Sequence, residues 1–125
     1  MIYGSDSGLS FASHSPQVWH QAIPGIQGEP ETGDGFGSTL TAWNFGRNER
    51  FSSLSGLPIL VATADLAIGV PNKDLNGIVN AGEVNVIYGS FLGGLTATNN
   101  QLWSQSSAGI RGGPESGDRF GAALY

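Results

Sequence analysis

The sequence repeats itself, and the repeat constrains the fold more than any other feature. GIQGEPETGDGFG, from Gly25 to Gly37, returns as GIRGGPESGDRFG from Gly109 to Gly121, at an offset of 84 with nine of thirteen positions identical. Trp19 maps onto Trp103 and Leu40 onto Leu124 at that same offset. Ile2-Tyr3-Gly4-Ser5 returns as Ile87-Tyr88-Gly89-Ser90 at an offset of 85, and the one-residue drift is absorbed in the Gly-Leu-Ser/Thr stretch between the blocks. A repeated unit of this kind cannot bury its apolar face alone and must stack on a neighbour. The chain opens inside one unit, at IYGS, and stops inside another, at FGAALY. The expectation is therefore a piece of a longer array that holds one complete unit.

Inside the complete unit, strand signals alternate with turn residues. Phe36 to Trp43 alternates large apolar and small polar residues, as a strand with one packed face does. Asp65 to Val70 reads as a second strand stopped by Pro71, and Gly82 to Tyr88 as a third with Val84, Val86 and Tyr88 on one face. Gln101 to Gln105 reads as a fourth and outermost strand. The composition agrees with short strands and tight turns: 20 glycines, and charged residues at 12%, about half the usual share. Four antiparallel strands followed by a Gly-rich connection is the layout of a propeller blade.

Several classes of function are excluded by chemistry. A net charge of -5, with Arg47, Arg50, Lys73, Arg111 and Arg119 scattered, provides no basic stripe for nucleic acid. The chain has no cysteine, which removes disulfides and thiolate metal sites. Its N-terminal residues lack the basic start and apolar run of a signal peptide. Leu57 to Val61, the longest apolar stretch, is too short to span a bilayer.

Phe36-Gly37 and Phe120-Gly121 look like the FG, and Gly69-Val70-Pro71 like the GAP with Val for Ala, of the FG-GAP repeat. With two IYGS blocks and one DLAIGVP block in the expected order, nearly the whole chain resembles that family. It builds the seven-bladed propeller of integrin α subunits and of similar bacterial surface proteins. The resemblance implies an all-β fold, a fragment of a β-propeller with one complete four-stranded antiparallel blade and parts of two neighbours. Residues 1–35 would end a preceding blade and its connecting loop. Residues 36–107 would form the complete blade with an insertion near 49–63, and residues 108–125 the next connecting loop and first strand. Phe36, Gly37, Gly69, Pro71, Phe120 and Gly121 are then architecture: phenylalanine anchors between blades, glycines where strands crowd, and a proline at a turn. The implied role is a non-catalytic recognition or adhesion scaffold, extracellular or at the cell surface. Its partners would be the other blades and a protein or glycan ligand. The rival is an accessory propeller domain of a secreted multidomain hydrolase, which the full-length reading frame would reveal.

Candidate sites follow from residue chemistry and from the resemblance. Family members often carry a calcium loop between the first two strands of a blade, and calcium needs six to eight oxygen ligands. Here only Asn44 and Asp65 remain, at the ends of that loop, and Arg47 and Arg50 oppose a cation. The expectation is no cofactor in this unit, with calcium left to other blades, and an Asp65 that caps a turn through backbone N–H groups. The insertion is expected to form a hairpin continuing the first two strands or a loop over the rim. The pairs Glu31/Asp34 and Glu115/Asp118 recur with the repeat, and Asp34 and Asp118 are expected to fix turns. His14 and His20 have no repeated counterparts and read as surface residues. The resemblance places ligand-face loops at Asn72, Lys73, Asp74 and Asn76, and at Glu29 and Glu31.

Overall fold

In the computed structural model, residues 2–10, 15–46, 50–54, 57–61, 63–90 and 93–125 are described. They form eight β-strands and no helix: β1 (Tyr3–Ser5), β2 (Gly8–Ser10), β3 (Thr39–Trp43), β4 (Arg50–Leu54), β5 (Leu57–Val61), β6 (Asp65–Val70), β7 (Glu83–Gly89) and β8 (Leu95–Trp103). The central feature is a four-stranded antiparallel sheet ordered β3-β6-β7-β8. Two further hairpins, β1-β2 and β4-β5, form separate two-stranded sheets.

The expected pairings are present. Thr39 to Trp43 runs antiparallel to Asp65 to Gly69. Leu66 to Val70 pairs with Glu83 to Ile87, and β7 in turn pairs with β8. Two boundaries differ from the sequence reading. The first strand, expected from Phe36, begins at Thr39, because Phe36-Gly37 is a turn in which Gly37 has φ 88°. The fourth begins earlier, at Leu95, and its ladder to β7 shifts register between Val86 and Tyr88. Alternation is lost at that shift. The insertion forms its own hairpin, Arg50–Leu54 on Leu57–Val61, beyond the last β3-β6 pair, Trp43 with Asp65. His14 and Arg47 lie outside the described residues.

Both faces of the two central strands, β6 and β7, are buried, and each face has a distinct cover, while the edge strand β3 is largely exposed. On one face Ile68, Ile87 and Leu95 pack with Ile26, and Trp19, Ile23 and Phe36 lie against them. On the other, Ala67, Val84, Val86 and Tyr88 form a cluster backed by Trp103, Phe120 and Leu124. Period-2 alternation sends successive residues of β6 and β7 to opposite faces, so β6 is apolar beyond Asp65, while β7 adds Glu83 and Asn85 to its apolar residues. Burial of such side chains, at about 1.5–3 kcal/mol each, is the main stabilising term of the sheet.

The repeat seen in the sequence is also a repeat of backbone geometry. Glu31 N donates to Asp34 Oδ2 at 2.8 Å, and Glu115 N donates to Asp118 Oδ2 at 2.7 Å. Ser38 N reaches Gly35 O as Ala122 N reaches Arg119 O, 84 residues on. Gly37 and Gly121 share positive φ values of 88° and 84°. The expected crowding is found only at the second of them: a Cβ on Gly121 would come within 2.7 Å of Glu83 O and Val84 Cγ2, whereas one on Gly37 meets nothing within 4 Å. Gly37 is therefore required for its left-handed backbone, and Gly121 for backbone and space together.

Candidate functional site

One end of the sheet gathers three connections: residues 27–35, 72–80 and 111–119. Pro71 closes β6, and Asn72 N donates to Asp34 O while Asn72 Nδ2 donates to Gly33 O. The third connection docks on the second through Gly117 N to Val79 O and Arg119 N to Asn80 O. Arg119 Nη2 also donates to Asn72 Oδ1 at 3.0 Å, so Asn72 ties all three together. Asp74 Oδ1 accepts from Asn80 N and holds the middle loop in shape.

Beneath these loops lies a charged clasp. Lys73 is only 6% exposed. Its ammonium donates to Glu29 O at 2.6 Å and contacts Glu31 Oε2 at 2.8 Å and Asp34 Oδ2 at 3.3 Å. Burial pulls this ammonium down, but the Glu31 hydrogen bond and the Asp34 charge outweigh that and leave its pKa above 10.5. Glu83, 2% exposed, sits on the same covered face and accepts from Gln21 Nε2 at 3.0 Å. Burial raises the Glu83 carboxyl above its ordinary 4.5, and the Lys73 charge offsets that only in part. Next to it, Asn85 Nδ2 donates to Gln27 O, while Gln27 is itself held by Asn100 through its N–H and its side-chain amide.

The residues expected at a ligand face divide accordingly. Lys73 points inward and is consumed by the clasp, and Glu29 lends it a backbone oxygen. Glu29, Glu31, Asp74 and Asn76 are exposed, and Asn72 is half-buried. At the opposite end of the sheet Asp65 is fully buried, and its carboxylate accepts from Phe45 N at 2.8 Å and from Gly89 N at 2.9 Å. That is the turn-capping role expected of it. Asn44 is exposed and accepts from Gly46 N. A cavity of about 320 Å³ includes Asp65 in its lining, together with Ala42, Leu66, Leu95 and neighbouring residues. Among the described residues no group of three or more His, Asp or Glu side chains converges on a common point as a metal site would require. No helix among them is long and apolar enough to cross a membrane.

Sequence reasoning missed Glu83 and Asn85, which hold the polar positions of an alternating strand. No local signal marks them, because their cover comes from Gln21 and Gln27, about sixty residues away in the sequence. Comparison of the chain with protein-family models, curated proteins and solved structures gave no match.

Proposed function

We propose that this chain is one wedge of an FG-GAP-type β-propeller, serving as a non-catalytic recognition scaffold outside the cell or at its surface. The observation that carries this reading is the placement of the repeated aromatics. Trp19 and Phe36 cover one face of the sheet, and their counterparts Trp103 and Phe120 cover the other. Each aromatic pair therefore suits a position between two successive sheets, in contact with opposite faces of each. The unmatched surfaces agree with that arrangement. Leu124 packs on the sheet, whereas its counterpart Leu40 is 56% exposed and nearby Trp43 73% exposed.

A rigid sheet with three interlocked loops at one end favours recognition, because loops on a fixed scaffold present side chains at no further ordering cost. The binding surface is assigned to Glu29, Glu31, Asp74 and Asn76, with a protein or a glycan as ligand. The test is retention of the folded chain on a glycan array and on immobilised collagen, fibronectin and laminin. The comparison protein is Asp74→Ala/Asn76→Ala, matched for melting temperature. Retention that the double variant loses supports the assignment. Absence of retention on every surface, or equal retention by the variant, overturns it.

A further inference from the structure

The chain holds two copies of the acidic turn but only one lysine, Lys73. The first copy, Glu31 and Asp34, grips the Lys73 ammonium at 2.8 Å and 3.3 Å. The second, Glu115 and Asp118, has the same backbone bonds: Asp118 N to Glu115 O, and Glu115 N to Asp118 Oδ2. Yet both its residues are exposed, and among the described residues neither carboxylate has a cationic partner. The flanking positions repeat the pattern. Gln21 donates through Nε2 to Glu83, while its half-buried counterpart Gln105 has a buried Oε1 with no partner, an acceptor that a further N–H or O–H would fill. Ile26 is buried against the sheet, while its counterpart Ile110 is exposed.

We propose that residues 101–121 form a preformed docking site for a second sheet of this same repeat, with Glu115 and Asp118 as the receptor for its lysine. This rests on the stacked-sheet reading above and adds to it the contact that sets the register. The occupant is defined by what occupies the first copy: a lysine after the second strand, and a buried glutamate at the start of the third to accept from Gln105 Nε2 as Glu83 accepts from Gln21. Another intact copy of the chain does not qualify, because its Lys73 is already held by its own Glu31 and Asp34. The partner has to bring a sheet whose lysine is unclaimed. Charge complementarity then selects the register, since a shift by one residue would bury the ammonium away from both carboxylates, at a cost that apolar packing alone does not impose.

The test extends the full chain in register. Tyr125 stands at the repeat position of Thr41, so a second stretch of residues 42–125 is fused directly after it. The 125-residue chain has a single lysine, so its ammonium resonance assigns itself by NMR, and the extended protein has two. The expected result is a second slowly exchanging ammonium, which Glu115→Gln/Asp118→Asn returns to fast exchange with water. The same double substitution should lower the melting temperature of the extended protein by several degrees and leave that of the 125-residue chain unchanged. Asparagine and glutamine keep the turn's hydrogen bonds, so loss of the turn does not account for the difference. If the added sheet docks but its lysine exchanges freely, the clamp is wrong and stacking survives. If the added residues show no folded amide dispersion, stacking and clamp are both refuted.

Discussion

Replacing Lys73 by Met tests whether the clasp is an ion pair that stabilises the fold or a by-product of loop packing. Methionine nearly preserves the length and apolar stem, so the change isolates the ammonium. Two carboxylates then lose their cation, and they differ in what remains to them. The Glu31 side chain is 55% exposed and turns to water at little cost. The Asp34 side chain is 6% exposed and among the described residues keeps only the Glu31 N–H as a donor. An uncompensated buried charge costs about 3–5 kcal/mol. For a chain of this length, 1 kcal/mol corresponds to about 4 °C in melting temperature, so a fall of roughly 12–20 °C is expected at pH 7. Removing both partners, in Lys73→Met/Asp34→Asn, should recover most of the loss, because no buried charge is then stranded. The assay is thermal and urea unfolding of the wild type, both single variants and the double. A Lys73→Met cost below about 1 kcal/mol, or a double variant no more stable than Lys73→Met, would refute the reasoning.

Three further outcomes are expected. Glu83→Gln keeps an acceptor for Gln21 and removes a buried charge. The folded-state pKa of Glu83 is raised, so its contribution is present below about pH 4.5 and lost as pH rises through the folded value. The stability of Glu83→Gln relative to wild type should therefore grow from pH 4.5 upward, and a gap that stays constant with pH would contradict this. Gly69→Ala would drive its Cβ into Thr39 Oγ1 and Gly121 O, so urea titration should show a loss of about 1–3 kcal/mol; a loss below 0.5 kcal/mol would mean that strand crowding has been misjudged. Ile87→Ala, at a fully buried core position, should cost about 2–5 kcal/mol by the same measurement, and a smaller cost would show that this face of the sheet is loosely packed.

The sheet was legible because its strands carry their own signals. DLAIGV and GEVNVIY are apolar, β-branched runs bounded by Pro and Gly, and their order in the sequence is their order in the sheet. The acidic turns were legible as well, since a motif that recurs in each unit implies a job done in each unit. The start of β3 was not, because hydrophobic pattern carries no record of φ, and Gly37 turns the chain just where Phe36 makes it look extended. The clasp was hidden for a related reason. Asn72-Lys73-Asp74-Leu75-Asn76-Gly77 has the composition of a solvated loop, and only the tertiary cover from residues 27–35 draws Lys73 inward. Glu83 and Asn85 likewise became interior through a long-range contact that strand alternation cannot foresee.

The buried state of Lys73 also governs how the chain meets reagents. It is the only lysine, and its amine is enclosed, so acylating reagents find no reachable side-chain amine while the loops stay closed. Aldehyde fixatives and ester-based labels would therefore modify Lys73 at the rate at which residues 27–35 lift from the sheet. A labelling time course read by mass spectrometry becomes a clock for that opening.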